Sequence, residues 1–141
     1  MVLRDLVEKK EAFGLILIDL NEFKLINDTL GHAVGDRVLK AVGGEMKRCL
    51  RASDLPARIG GDEFAVILPG ETTDHIERVV EKLRAAFAGI VIDVPDRPPP
   101  RVWGSFGYGF SREGDLAALK ELADQRLYED KRRSKGQRGT P

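Results

Sequence analysis

The spacing of apolar positions changes along the first third of the chain and predicts a strand followed by two helices. An unbroken apolar run over 13–18, which ends at Asp19, predicts a buried central strand. The apolar spacing then becomes helical and predicts a short helix that starts just after Asp19 and ends at Gly31. A longer helix follows, whose apolar face recurs mostly every fourth residue at Val34, Val38, Val42, Met46 and Cys49.

Shorter apolar runs in the rest of the chain predict two pairs of strands separated by helices. The first pair covers 55–58 and 64–68, and a helix capped by Thr72 or Thr73 follows it. The second pair covers 90–94 and 102–110, separated by a proline-rich loop that cannot lie inside a sheet. A last helix is capped by Asp115, and residues 2–11 are also helix-prone.

This order of elements predicts an α+β fold. Sequential hairpins mixed with helical crossovers indicate a mixed, mostly antiparallel central sheet flanked by helices on one or both faces. A ferredoxin-like core of the kind found in nucleotidyl cyclases and polymerase palms has this arrangement. We expect a single domain over 1–138 and a disordered tail over 139–141.

Composition narrows the classes of function. The 141 residues carry 23 basic and 23 acidic side chains, so a net charge of zero argues against a general nucleic-acid or membrane binder. The single cysteine, Cys49, cannot form an intrachain disulfide, which favours a reducing, cytoplasmic setting. The sequence also has no apolar run long enough to span a membrane.

The stretch from Arg58 to Phe64 carries the candidate chemistry, because it combines two glycines with two carboxylates. Gly60-Gly61 between strands predicts a two-residue hairpin with positive φ, whose bare backbone suits a polyanionic ligand. Asp62 and Glu63 then begin the returning strand, and an ordinary polar hairpin tip is the alternative interpretation.

A metal site follows if the first strand lies beside this hairpin. Asp19, Asp62 and Glu63, with a backbone carbonyl such as that of Leu20, would form an all-oxygen site. Such a site suits Mg²⁺ or Mn²⁺, and a pair of ions can clamp a phosphoryl transfer. The amino end of the helix after Asp19, together with Lys24, is a candidate phosphate site, although Lys24 alone is more typical of a solvated helix lysine.

Several ordered blocks of the sequence resemble the GGDEF family of diguanylate cyclase domains. The resemblance covers about residues 13–138. It is carried by residues 19–32 (DLNEFKLINDTLGH), Gly35-Asp36, residues 58–64 (RIGGDEF), residues 104–107 (GSFG), and Ala123-Asp124-Gln125 with Leu127-Tyr128 and Lys131.

The resemblance implies that two GTP molecules condense into cyclic di-GMP with release of two pyrophosphates. It assigns Mg²⁺ ligation, by two ions per site, to Asp19, the Leu20 carbonyl, Asp62 and Glu63. Asp62 would be the base for the ribose 3′-hydroxyl. The substrate-binding residues would be Phe23, Lys24, Asn27, Asp36, Gly60, Gly61, Lys131 and Lys135, with Asn27 and Asp36 reading the guanine edge and the lysines holding phosphates. The family more often has arginine where Lys135 stands.

A second motif, Arg51-x-x-Asp54, is separated from Gly60 by five residues. By the resemblance it is an inhibitory site for the product cyclic di-GMP, whereas a surface ion pair is the commonest explanation of such a motif.

The resemblance also implies partners. Each domain holds one nucleotide, so the reaction needs a homodimer. The segment resembling D-x-L-T-G-L-x-N-R that usually precedes the first strand is absent from this sequence, and we expect a sensory domain upstream of the chain in a longer parent protein. No nucleic acid and no membrane contact are expected for this domain.

Two other functions are alternatives to the cyclase. One is a catalytically silent sensor of GTP or cyclic di-GMP, which would not need the complete metal cluster. The other is a palm-type nucleotidyl transferase acting on nucleic acid, which zero net charge disfavours.

Overall fold

The described residues form four strands and four helices in an α+β arrangement. The computed structural model describes residues 11–70, 72–112 and 115–138, and the side chains of the last helix as far as Ser134. The elements are β1 (Phe13–Leu20), α1 (Phe23–Leu30), α2 (His32–Cys49), β2 (Leu55–Arg58), β3 (Glu63–Pro69), α3 (Thr73–Ala88), β4 (Gly104–Ser111) and α4 (Leu116–Arg138). The predicted tail over 139–141 and nearly all of the predicted helix over 2–11 lie outside the described ranges.

The four strands make one antiparallel sheet in the order β2-β3-β1-β4. β1 therefore lies beside the hairpin strand β3, as the sequence predicted, and Asp19 pairs in register with Glu63. On the other side of β1, Asp19 pairs with Ser105 of β4. Directly opposed residues point to the same face of a sheet, so these three side chains share one face.

The buried strand β1 divides the core into two layers. All eight of its residues are buried, and alternate side chains point to opposite faces. Ile16 and Ile18 pack with α1, α2 and α3 on one face, whereas Leu15 and Leu17 pack against Leu119 and the rest of α4 on the other. Helices thus cover both faces of the sheet. The alternation also places Asp19 on the α4 face.

Helix α4 packs closely on β4 because Gly107 has no side chain. A Cβ on Gly107 would overlap backbone atoms of Ala123 and Leu127. Side chains of α4 also bind the outer edge of β4. The Phe106 amide donates to the Asp130 carboxylate at 2.7 Å, and the Arg126 guanidinium donates to the Tyr108 carbonyl at 2.8 Å.

The predicted helix caps are confirmed. Thr72 Oγ1 accepts from the amide of His75 at the start of α3, and Asp115 Oδ1 accepts from the amide of Ala118 at the start of α4. Within the described ranges, no helix combines the length and apolar character needed to cross a membrane.

The predicted strand over 90–94 is wrong. The segment forms only an isolated bridge between Val94 and Arg97, with Asp96 in the left-handed region at φ 61°. Ile92 is buried but Val91 is 69% exposed, so the apolar run does not continue the sheet. The outer edge of β4, where such a strand would pair, is instead bound by side chains of α4.

Candidate functional site

A pocket of about 240 Å³ opens at the carboxyl end of β1, where the hairpin, α1 and α4 meet. It collects candidate residues that lie far apart in sequence. Those that matter for its chemistry are Asp19, Leu20, Asn21, Lys24, Asp62 and Lys131. The structure therefore brings four of the side chains predicted for metal and phosphate to one place, namely Asp19, Lys24, Asp62 and Lys131.

Asp19 is the most buried charged group of the pocket, with 6% of its surface exposed. One carboxylate oxygen, Oδ2, forms an ion pair with the Lys131 ammonium. The other, Oδ1, is buried and has no hydrogen-bond partner among the described residues. Burial raises the pKa of the Asp19 carboxyl, the neighbouring Asp62 and Glu63 carboxylates raise it further, and Lys131 opposes both. Oδ1 is therefore the oxygen of Asp19 that can still accept a donor or a cation.

The hairpin that carries Asp62 is wider than the sequence predicted. Its connection spans the four residues 59–62 and not two, and neither Gly60 nor Gly61 has positive φ. The reason is the Arg58 guanidinium, which donates to the carbonyls of both glycines at 3.0 Å and supports the wider turn. Both glycines are exposed, and a Cβ on either would make no contact closer than 4.0 Å. The surface beside Asp62 is therefore bare backbone, as predicted.

The three predicted carboxylates are only partly gathered. Asp19 and Asp62 line the pocket, and the Asp62 carbonyl accepts from the Leu20 amide at 3.0 Å. Glu63 is exposed and does not line it. Among the described residues, no three acidic, histidine or cysteine side chains surround a common point suited to a metal ion. The Lys131 ammonium lies against Asp19 instead.

A tight turn leads from β1 into α1. Glu22 adopts the left-handed conformation at φ 57°, and the Asn21 amide donates to the Trp103 carbonyl at 2.9 Å. No side chain caps the amino end of α1, so its first amides face the pocket beside the exposed Lys24. Phe23 lies partly in the core, with 8% of its surface exposed, and also borders the pocket.

The predicted guanine-reading residues, Asn27 and Asp36, lie on the adjoining helices α1 and α2 and do not line this pocket. Asn27 is one turn along α1 from Lys24, and its amide oxygen lies where a Cβ on Gly35 would stand. Gly35 is buried, and the next residue, Asp36, is exposed on α2. The absence of a side chain at Gly35 therefore lets Asn27 approach the residue next to Asp36.

A polar network that the sequence did not predict fixes the pocket's rear wall. Ser105 Oγ donates to Asn21 Oδ1 at 2.9 Å and lies 3.2 Å from Ser134 Oγ. Asn21 Nδ2 also lies 3.4 Å from Ser134 Oγ. Ser134 is one turn beyond Lys131 on α4, so this network ties that part of α4 to β4 and to the turn after β1. The side chain of Lys135, predicted to hold phosphates, lies outside the described part of the chain.

Trp103 is another pocket residue that the sequence left without a role. Its Nε1 is buried without a hydrogen-bond partner among the described residues, and the Arg101 guanidinium stacks 4.1 Å above its ring. No sequence pattern identifies it, because its position depends on the loop that replaces the expected strand over 90–94.

The predicted product site, Arg51 and Asp54, lies in the turn after α2. Asp54 is buried, and it accepts from the Arg51 amide at 2.9 Å and from its guanidinium at 3.2 Å. The Arg51 side chain is about half exposed. In this state the aspartate stabilises the turn, and the arginine faces solvent.

The sequence is similar to known proteins along nearly its whole length. The family model described as "Diguanylate cyclase, GGDEF domain" matches residues 2–137. Diguanylate cyclase DgcP of Pseudomonas aeruginosa is 38% identical over 118 residues, which cover 84% of this chain and 18% of that protein. Diguanylate cyclase A of Treponema denticola is 38% identical over 126 residues, which cover 88% of this chain and 34% of that protein. The chain thus spans well under half the length of these relatives.

Solved structures have the same fold. Diguanylate cyclase SiaD from Pseudomonas aeruginosa, in complex with its activator SiaC, matches with a TM-score of 0.84 and 32% identity, over 93% of this chain and 52% of that chain. The GGDEF domain of DgcB from Caulobacter crescentus, in complex with c-di-GMP, matches with a TM-score of 0.82 and 28% identity, over 92% and 77%.

Proposed function

We propose that this chain, which belongs to the GGDEF family of diguanylate cyclase domains, condenses two GTP molecules into cyclic di-GMP and releases two pyrophosphates. The observation that carries the proposal is the pocket in which Asp19, Asp62 and Lys24 meet beside the bare Gly60-Gly61 backbone. Carboxylates for a metal and cations for phosphate are both required for phosphoryl transfer, and this pocket contains both. The catalytic domain is proposed to cover residues 1–138.

The residues present fit a divalent cation. Asp19 Oδ1 is buried and unpaired among the described residues, and Asp62 lines the same pocket. We assign Mg²⁺, or Mn²⁺, to Asp19, the Leu20 carbonyl, Asp62 and Glu63, with two ions per site, because hard cations prefer oxygen ligands. When bound, the metal supplies positive charge to the transferring phosphoryl group.

The protein's own groups position the substrates and move the proton. Lys24 and the uncapped amino end of α1 hold phosphates, as do Lys131 and Lys135. The 3′-hydroxyl oxygen of one GTP bonds to the α-phosphorus of the other while the bond to pyrophosphate breaks. Its proton passes to the Asp62 carboxylate. The 3′-hydroxyl of the second GTP then bonds in the same way to the α-phosphorus of the first, with release of the second pyrophosphate, and this closes the ring.

The proposed specificity for GTP depends on two further residues. The Asp36 carboxylate accepts from the N1–H and N2–H groups of guanine, which adenine lacks, and the Asn27 amide provides a complementary contact. The contact of Asn27 with Gly35 supports this pair because it brings Asn27 next to the residue that precedes Asp36, and Asp36 is exposed.

Assembly and regulation are also part of the proposal. One pocket holds one nucleotide, so two copies of the domain must face each other to form both linkages. A sensory domain elsewhere in a longer protein would control that pairing. Product inhibition is assigned to Arg51 and Asp54, and about half of the Arg51 side chain is exposed to solvent. GTP as substrate and the free thiol of Cys49 suit the cytoplasm.

The test is incubation of the protein with GTP and Mg²⁺, followed by chromatographic separation of the guanine nucleotides. We expect cyclic di-GMP to form at a rate that rises more steeply than protein concentration, since two domains react. A rate strictly proportional to protein concentration would contradict the dimer. Complete absence of product, combined with calorimetric binding of cyclic di-GMP, would replace the cyclase by the silent sensor.

A further inference from the structure

A second cavity, of about 440 Å³, adjoins the catalytic pocket. It lies between α3, α4 and the loop before β4. Two residues, Trp103 and Ser134, line both the catalytic pocket and the second cavity, so the two spaces share a wall. None of the roles proposed above uses it.

Three arginines give this cavity a positive balance. Arg84, Arg101 and Arg133 line it together with two carboxylates, Glu81 and Asp130. Both carboxylates are bound by Arg84, at 3.6 Å and 3.0 Å respectively. Within the described part of the chain, Arg101 and Arg133 form no ion pair. Their charge is therefore available to an anion.

The stacking of Arg101 prepares it for such a ligand. Its Cζ lies 4.1 Å from the centroid of the Trp103 ring, and this cation–π contact restrains the guanidinium, which makes no hydrogen bond to another described residue. A planar guanidinium with edge donors matches two oxygens of a phosphate, and fixing it in advance lowers the entropy lost on binding. Arg84 is held similarly, 4.6 Å above the Phe106 ring.

We propose that this arginine cavity, defined by Arg84, Arg101 and Arg133, binds a pyrophosphate group next to the catalytic pocket. The proposal rests on the proposed condensation of GTP, which produces such a group. Two molecules could supply this pyrophosphate group. One is GTP bound in the catalytic pocket, through its terminal phosphates, and the other is the pyrophosphate released by the reaction.

The test is titration with inorganic pyrophosphate at low ionic strength without metal, followed by intrinsic fluorescence. Trp103 is the only tryptophan of the chain and borders the cavity, so it reports binding directly. We expect Arg101→Gln and Arg133→Gln each to weaken binding about tenfold, because each removes a charged donor. Arg132→Gln is the matched control: it makes the same change one residue away, at an exposed position outside the cavity lining.

Two results would overturn the proposal. Equal weakening in Arg132→Gln and Arg133→Gln would indicate general attraction to surface charge. Loss of pyrophosphate binding in Lys24→Gln, with wild-type affinity in both cavity variants, would place the anion in the catalytic pocket. Calorimetry of the same variants provides an independent measurement if the Arg101 substitution itself alters tryptophan emission.

Nucleotide titrations separate the two sources. If the terminal phosphates of GTP reach the cavity, Arg133→Gln weakens GTP binding and leaves GMP binding unchanged. If only the released product binds, GTP affinity is retained and pyrophosphate inhibits turnover less strongly in the variant. Both results support the cavity. Failure of the wild-type protein to make cyclic di-GMP, with pyrophosphate binding still dependent on Arg133, would contradict the cyclase and leave the cavity supported.

Discussion

The Lys131 ammonium, in the last third of α4, forms an ion pair with the Asp19 carboxylate near the end of β1. Asp19 is the proposed metal ligand, and Lys131 is a proposed phosphate ligand. Before substrate binds, each therefore neutralises the other. We expect a metal ion to take the place of Lys131 at the Asp19 carboxylate. A phosphate of the nucleotide would then take the place of Asp19 at the Lys131 ammonium.

Lys131→Met removes the partner of a buried carboxylate. We expect the free energy of unfolding to fall by about 2 kcal/mol, less than for a fully buried pair because the lysine side chain is 40% exposed. Urea denaturation without metal measures the change. Lys120→Met, at an exposed position of the same helix, is the control. Equal stability of the two variants would contradict the pairing, and Mg²⁺ should restore part of the lost stability only in Lys131→Met.

Asp19→Asn tests the same site from the other side. A raised pKa in the folded protein means that folding favours the uncharged carboxyl, so removal of the charge should stabilise the metal-free protein at neutral pH. We expect a gain of about 1 kcal/mol in urea denaturation together with loss of cyclic di-GMP synthesis. Asp28→Asn, exposed on α1, should change neither quantity. A less stable Asn variant would show that the ion pair outweighs the burial.

Asp62→Asn should abolish condensation and leave the fold intact. The carboxylate is the proposed base, and its loss should lower the rate at least about 100-fold. Product chromatography measures the rate, and an unchanged urea midpoint establishes that the domain is folded. An unchanged yield of cyclic di-GMP would remove Asp62 from the chemistry.

Gly107→Ala should destabilise the domain by about 3 kcal/mol. The added methyl group would collide with backbone atoms of Ala123 and Leu127, which cannot move without shifting α4. Gly109→Ala is a graded control on the same strand, because its nearest neighbours are the mobile ends of Leu119 and Leu122. Thermal unfolding of both variants tests the order, and a larger loss in Gly109→Ala would contradict the packing described for α4 and β4.

The product-site motif predicts a separation of stability from ligand binding. Asp54→Ala should destabilise the turn after α2 by about 1–2 kcal/mol, because its buried carboxylate accepts the Arg51 amide. Arg51→Ala should cost much less stability, yet weaken cyclic di-GMP binding and retain GTP binding. Calorimetry with both nucleotides measures the difference. Equal affinity of Arg51→Ala and the unaltered protein for cyclic di-GMP would assign the motif to structure alone.

Local pattern was sufficient to predict most of the elements, but not the contacts between distant ones. The apolar run of β1, the spacing in α1 and α2 and the caps at Thr72 and Asp115 are local signals, and the structure confirms them. A strand also needs a free edge to pair with. The apolar segment over 90–94 lacks one, so its hydrophobicity was misleading.

Site residues were predictable where they belonged to a short motif. Asp19, Lys24 and Asp62 do, and they meet in one pocket. The width of the hairpin was not predictable, because it depends on the Arg58 side chain reaching two carbonyls. The approach of Lys131 to Asp19 was not predictable either, because it depends on how α4 crosses the sheet.

Both outer edges of the sheet are partly blocked to further strands. Pro56 lacks a backbone donor on β2, and on β4 the Phe106 amide and the Tyr108 carbonyl are already bound by Asp130 and Arg126. These features disfavour joining two copies of the domain by extending one sheet into the other. The proposed pairing would then be a contact of side chains and loops, which could separate again without breaking a ladder of backbone hydrogen bonds.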